Sequence, residues 1–337
     1  MFAKLKNLLY TQIYINIVAG NKQTTIYVEE ISFNGSVQST EEKFETSQSK
    51  KINAFILKNT KKSPIHYITI LDSSISQGAT PTCSSTEMTQ FCDMGIVKHI
   101  CYNKQWGYYT SKLDILEFQN KYKKIGLDFI FSPFLMLVNF FKEKVEKELA
   151  LFILVGVDSI TLSVYDHSKL LFAEQLDMQN QNEFQEELGM VDEALPTEDL
   201  TLDDDIGIDL ETIDASDELD SLDDFDTIEN LDTFDEMDEF SEDDSEEIGE
   251  VIVPNLADTE SSFGEDYHRF SLIQSAINKF YKDDRFSSDF IEQVFIADSI
   301  GMGTELKKFL EEEMFLNVFI RKIDLCLELC ELAKVEK

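Results

Sequence analysis

Two stretches of this chain share the rhythm of a strand, a glycine turn and a second strand: "VAGNKQTTIYV" at 18–28 and "LVGVDSITLSV" at 154–164. Turns of this kind bring backbone N–H groups up to an anion, and several nucleotide-binding folds hold phosphate with them. The stretches align without a gap, sharing Gly20/Gly156, Thr25/Thr161 and Val28/Val164, and each leads to a hairpin turn, "NGS" or "DHSK". A magnesium–phosphate site asks the protein for one or two carboxylates. The strand entering the second turn carries Leu154 where that carboxylate is wanted. Lys22 and Asp158, inside the two turns, are the polar residues that could substitute. A third turn, "ADSIGMG", brings Asp298, Ser299 and Ile300 before Gly301 and Gly303.

No other constellation competes. The four histidines, His66, His99, His167 and His268, are scattered, and no G-x-S-x-G, HExxH or P-loop pattern occurs. Cys92 lies near His99 but lacks a third group to orient the pair. Cys326 and Cys330 stand four apart on an apolar helix pattern, as core cysteines do. An odd cysteine count without CxxC spacing reads as reduced thiols in a cytosol.

The elements that must position the turns follow from periodicity. Residues 12–19, 24–33 and a stretch ending at 45 read as strands, "KKINAFILKN" as a helix and "IHYITILDSS" as a strand, followed by an irregular 76–105. "SKLDILEFQNKYKKIG" repeats apolar residues at Leu113, Leu116, Tyr122 and Ile125, with Gly126 as its stop. A short strand, "LDFIF", precedes a helix capped by Ser132 with Pro133 at its first position and Leu137, Phe140 and Phe141 on its apolar face. Toward the C-terminus come a helix at 270–283, a strand "QVFIADS", a helix with Leu306, Phe309 and Leu310 inward, a strand "NVFIRKI" and a last helix. The N-terminus is basic and then apolar but alternates like a strand, which argues against an export signal. "IGLDFIFSPFLMLVNFF" is broken by Asp128, Pro133 and Asn139, too often for a membrane span.

The net charge of −37 is localised. Residues 170–268 hold 37 of the 66 acids and no Lys or Arg, leaving 29 acids against 29 bases elsewhere. A charge-balanced fold with an acidic insert excludes a nucleic-acid footprint, which needs clustered bases. Within 191–250, 28 acids and no base oppose collapse, so the insert, 187–262, is expected to be disordered. Leu219, Leu222, Phe225, Ile228, Leu231, Phe234, Met237 and Phe240 recur there every third residue. That period drifts by ~60° per step around a helix of 3.6 residues per turn, so these residues read as repeated weak docking points for a partner. "DDDIGIDLETID" is acid-rich but out of register with an EF-hand loop.

In order and spacing, "YKKIGLDFIFSPFLMLVNFF", "LFILVGVDSITLSVYDHSKLLFAEQL" and "VFIADSIGMGTELKKFLEEEMFLNVFI" resemble segments of the actin-like family, in particular the pilus protein PilM and the cytoplasmic domain of the secretion protein GspL. The cell-division protein FtsA is a more distant likeness. The resemblance covers 12–180 and 265–325. It implies an α/β, actin-like (ribonuclease H-like) two-lobed fold with mixed sheets flanked by helices, interrupted by the acidic insert. Its lobes would be 10–148 and 149–186 plus 263–337.

In nucleotide-binding members each lobe's first turn carries roughly D-x-G. Here Val18 and Leu154 fall at both aspartate positions, and Asp298, Ser299 and Ile300 fall where a glycine run approaches the adenosine. The expectation is a non-catalytic scaffold with no cofactor and vestigial turns at Gly20, Lys22, Gly156, Asp158, Gly301 and Gly303, ATP with magnesium being the alternative. By the same resemblance its partners would be the cytosolic tail of an inner-membrane assembly protein and a motor ATPase, with a homodimer possible. The chain would sit in the cytoplasm, peripheral at the inner membrane. Further readings are an ATP-binding switch and a carrier of the acidic segment.

Overall fold

The computed structural model describes residues 10–179, 256–283, 285–286, 289–302 and 305–337. Strands β1 (Gln12–Ala19), β2 (Gln23–Ile31) and β3 (Val37–Glu45) lead through α1 (Ser49–Thr60) to β4 (Ile65–Leu71). An inserted sheet follows, made of β5 (Gln77–Thr80), β6 (Val97–Tyr102) and β7 (Trp106–Ser111), with the short helix α2 (Ser85–Met88) between its first two strands. Helix α3 (Lys112–Lys121), strand β8 (Phe129–Phe131) and helices α4 (Pro133–Phe140) and α5 (Lys142–Val145) complete the first part. Strands β9 (Ala150–Val155), β10 (Ser159–Asp166) and β11 (Lys169–Asp177) are followed by α6 (Leu256–Lys282), β12 (Gln293–Asp298), α7 (Glu305–Glu312), β13 (Asn317–Lys322) and α8 (Leu325–Glu336).

One design is used twice. The sheets run β3-β2-β1-β4-β8 and β11-β10-β9-β12-β13. In each, the central strand pairs antiparallel with its hairpin partner and parallel with the strand reached by a helical crossover. This duplicated mixed sheet flanked by helices is the actin-like, ribonuclease H-like architecture.

Alternation along the strands sorts the core into three clusters. On β1, Ile13, Ile15 and Ile17 meet α1 and the end of α3; on β9, Leu151, Ile153 and Val155 meet α6 and α7. The opposite faces, with Tyr14, Phe152, Leu154, Phe295 and Ala297, share one cluster that also takes in α4 and α8. Helix α4 is therefore buried from Pro133 to Val138 on all sides, with Ser132 Oγ accepting from Phe134 N.

Several expectations change. The stretch 76–105 is not irregular: β5, α2 and β6 lie in it, in strands of only four and six residues whose alternation is hidden by Gly78 and by polar edges. Leu113 and Leu116 do not face the core; they are 64% and 53% exposed, while Tyr122 and Ile125 turn inward as expected and are joined by Phe118. Helix α6 begins at Leu256 rather than near Phe270. Cys83 and Cys101 form a disulfide, leaving Cys92, Cys326 and Cys330 free. The hairpin geometry brings together two cysteines that sequence spacing kept apart. Cys326 and Cys330 are buried in α8, and burial pushes both thiols up to about 12.

Candidate functional site

The two glycine turns are built alike. Gly20 N donates to Gln23 O at 2.9 Å, and Gly156 N donates to Ser159 O at 3.0 Å. A Cβ on Gly156 would stand 3.0 Å from Ser159 O, and one on Gly20 would stand 3.2 Å from Gln23 O and 3.1 Å from the Asp158 carboxylate. Close approach of backbone, not an unusual φ, requires glycine at both positions.

What the turns bind differs from what such turns offer a ligand. Asp158 Oδ2 accepts from Asn21 N at 2.9 Å, so a carboxylate of the second turn reaches the backbone of the first across 137 residues of sequence. At the third turn Asp298 folds back on its own loop. Its Oδ1 accepts from Ile300 N at 3.0 Å, Gly301 N at 2.9 Å and Met302 N at 3.2 Å, and its Oδ2 from Met302 N at 3.1 Å. Gly301 has a φ of +72°, which lets consecutive N–H groups converge on one oxygen. Asp298, at the position where a glycine run would approach an adenosine, is the anion that the turn holds.

A third carboxylate acts on the helix that follows. Asp266 on α6, fully buried, accepts from Leu306 N at 3.4 Å near the start of α7 and is neutralised by Arg269 at 2.7 Å. Sequence reasoning missed this group, because an acid at the end of an acidic segment gives no sign that it turns inward.

Val18 and Leu154 face the cluster between the sheets. Leu154 is 4% exposed within it, and Val18 is half-buried against it. Lys22 is exposed and forms no ion pair among the described residues, while its carbonyl accepts from Thr46 N at 3.0 Å. Of the six turn residues, the structure brings Gly20 and Asp158 together; Lys22 and Gly156 stand in the same paired turns, Gly301 sits in the separate Asp298 loop, and Gly303 lies outside the described residues. The apolar series from Leu219 to Phe240 also lies outside them.

A nucleotide phosphate with magnesium does not fit these residues: Asn21 N and the N–H groups of the Asp298 loop already hold carboxylates, and the strand positions that would supply a metal ligand are the aliphatic Val18, half-buried, and Leu154, buried. Among the described residues no three His, Cys, Asp or Glu side chains gather to hold a metal ion, and no helix is long and apolar enough to cross a membrane.

A family model described as a domain of unknown function, DUF8341, matches residues 151–337, more than half of the chain. The chain belongs to the DUF8341 family. A second domain of unknown function, DUF8569, matches residues 10–138 of this DUF8341 member. No curated protein sequence matches it. Among solved structures it is similar to a Bacteroides thetaiotaomicron protein with an actin-like ATPase fold and unknown function, with 12% identity, a TM-score of 0.46, and 92% of this chain and 91% of that one covered. It is similar to the PilM-PilN type IV pilus biogenesis complex at 10% identity and a TM-score of 0.42, over 95% and 94% of the two chains. The ethanolamine utilization protein EutJ of Carboxydothermus hydrogenoformans follows at 5% identity and a TM-score of 0.35, over 91% and 84%.

Proposed function

We propose that this chain is a non-catalytic, actin-like scaffold in the inner-membrane assembly platform of a type IV pilus, type II secretion or DNA-uptake machine. The observation that supports the non-catalytic part is that Asp158 accepts from Asn21 N and Asp298 from Ile300, Gly301 and Met302 N, in the turns where a phosphate or an adenosine would approach. A hydrogen bond from N–H to an ionised carboxylate is about twice as strong as a neutral one, and a tethered carboxylate competes with any free anion at high effective concentration. The placement in such a machine rests on the resemblance of the three quoted segments to PilM and GspL. Its partners on this reading are the tail of a membrane protein and a motor ATPase.

Calorimetric titration with Mg-ATP and Mg-ADP tests the first part. No binding heat is expected; micromolar binding lost in Gly20→Val or Gly156→Val variants would replace the scaffold with the ATP-binding switch. Deleting the gene in its host should abolish pilus assembly, secretion or DNA uptake, and a copy bearing Gly156→Val should restore it if the chain stays folded.

The cytoplasmic placement has its own check. In a reducing cytosol the Cys83–Cys101 pair would stand open, so rapid alkylation in cells should modify all five cysteines after unfolding. Only three modified cysteines, Cys92, Cys326 and Cys330, would place this part of the chain in an oxidising compartment.

A further inference from the structure

A cavity of about 210 Å³ opens between two sheet edges, β5 of the inserted sheet and β11 of the second duplicated sheet. The two strands come within 8 Å of each other, Cα to Cα, without being hydrogen-bonded neighbours. A third strand between them needs about 9.5 Å, twice the strand spacing, so a peptide has no room to pair there. Each edge still turns alternate N–H and C=O groups toward the gap.

The charges that line the cavity are paired. Lys279 meets Glu174, and Arg285 gives Nε and Nη2 to Asp283 and Nη1 to Gln90 O at 2.8 Å. Gln77 is saturated too: its Nε2 donates to Asp72 O and Ser74 O, and its Oε1 accepts from Ser132 Oγ. Gln175 differs. It is 9% exposed and its Oε1 accepts from Thr161 Oγ1 at 2.7 Å, but its Nε2 has no partner among the described residues. The residue before it, Glu174, keeps a buried Oε2 that accepts nothing among them. Successive side chains of a strand face opposite ways, so the orphan donor and the orphan acceptor flank the β11 edge from either side. Tyr109 adds a hydroxyl. A Cβ on Gly78 would stand 2.5 Å from Tyr109 Oη, so glycine is what lets the tyrosine lie across β5 at the cavity.

Size and polarity together select a ligand class. At ~30 Å³ per water the cavity holds about seven waters, below the ~300 Å³ at which drug-sized pockets begin and on the scale of one small ring. With every charge in the lining paired, an anion or a cation finds no counterion there. A hydroxyl both donates and accepts, so a molecule with hydroxyls on several sides meets Gln175 Nε2, Glu174 Oε2, Tyr109 Oη and the strand edges together. We propose that the cavity between β5 and β11 binds a small uncharged polyol, a single sugar ring or a cyclitol, through Gln175, Glu174 and Tyr109. The site shares no residue with the glycine turns, so its test is independent of the scaffold reading.

Saturation-transfer NMR of the full chain with D-glucose, D-galactose, N-acetyl-D-glucosamine and myo-inositol supplies that test. At least one of the four should bind saturably with a Kd of about 10 mM or tighter. Gln175→Leu, which keeps the bulk and removes the orphan donor, should weaken that binding at least about tenfold, and Tyr109→Phe about threefold. Tyr109→Phe removes a single oxygen, so it decides the matter even where Gln175→Leu lowers the thermal midpoint. No saturable signal from any of the four, or affinity unchanged in Tyr109→Phe and in a folded Gln175→Leu, would overturn the proposal. So would L-glutamate or inorganic phosphate binding more tightly than every polyol in a manner that Gln175→Leu abolishes.

Discussion

The two sheets share strand order and turn geometry, yet the carboxylates are distributed unequally between their turns. The first sheet's turn, Gly20 to Gln23, contributes a bare N–H at Asn21; the second sheet's turn contributes Asp158, which fills it. The third turn, at the end of β12, fills itself through Asp298. The two copies share the backbone turn, but an acid of the chain accepts from Asn21 N in the first and from the loop N–H groups after β12, while Gly156 N in the second donates to Ser159 O of its own turn. A glycine turn reports a backbone shape, and the residue that occupies the shape decides whether anything else binds.

The hardest blow to this comparison is to put back the acid that the aligned positions lack. Leu154→Asp places a carboxylate in the cluster between the sheets, where it has neither water nor a partner, and should cost more than about 4 kcal/mol. Val18→Asp, half-buried at the equivalent position, should cost about 1–2 kcal/mol, because water reaches it. Urea unfolding of both variants decides the matter. Equal, small losses would show that both positions still face a polar cleft, and the idea of a cleft kept only for its shape would fail.

The second contrast is between the turn that fills itself and the turn that another turn's carboxylate fills. Asp298→Ala removes a residue that is 7% exposed and leaves the N–H groups of Ile300, Gly301 and Met302 without their acceptor. A loss of about 2–4 kcal/mol is expected in thermal or urea unfolding. Asp158→Ala removes one exposed bond and should cost about 0.5–1 kcal/mol. Its signature is local instead: hydrogen exchange at Asn21 should accelerate at least tenfold, with amides in β9 and β12 unaffected. Acceleration spread through both sheets would mean that Asp158 holds the halves together as well as filling a turn.

Much of the fold was legible because its strands alternate and its helices carry caps. β1 and β2 fall within two residues of where their apolar rhythm places them, β9 and β10 flank Gly156 as strand and second strand, and Ser132 caps α4 as a serine before proline should. The inserted sheet was hidden because its strands are short and its stability borrows from contacts far away in sequence, such as Phe91 on Phe286 and Arg285 on Gln90 O. The same limit applies at the turns. Spacing showed that Asp158 and Asp298 stand beside glycines, but which N–H groups they bind depends on a partner strand or on the sign of one φ, and neither is written in a local pattern.

The smallest expected difference lies between the glycines themselves. Gly156→Ala sets a Cβ 3.0 Å from the carbonyl oxygen of its own turn, which cannot move without opening the β9–β10 hairpin, so about 1–2 kcal/mol is expected. Gly20→Ala meets Gln23 O at the slightly easier 3.2 Å and the Asp158 carboxylate at 3.1 Å, and a side chain at the surface swings aside. Its cost should be about 1 kcal/mol, and most of it should disappear in the Gly20→Ala, Asp158→Ala double variant, because the two changes remove the same contact. Full additivity in that double-mutant cycle would mean that the carboxylate and the first turn do not feel each other, and the asymmetry between the two copies would reduce to backbone crowding alone.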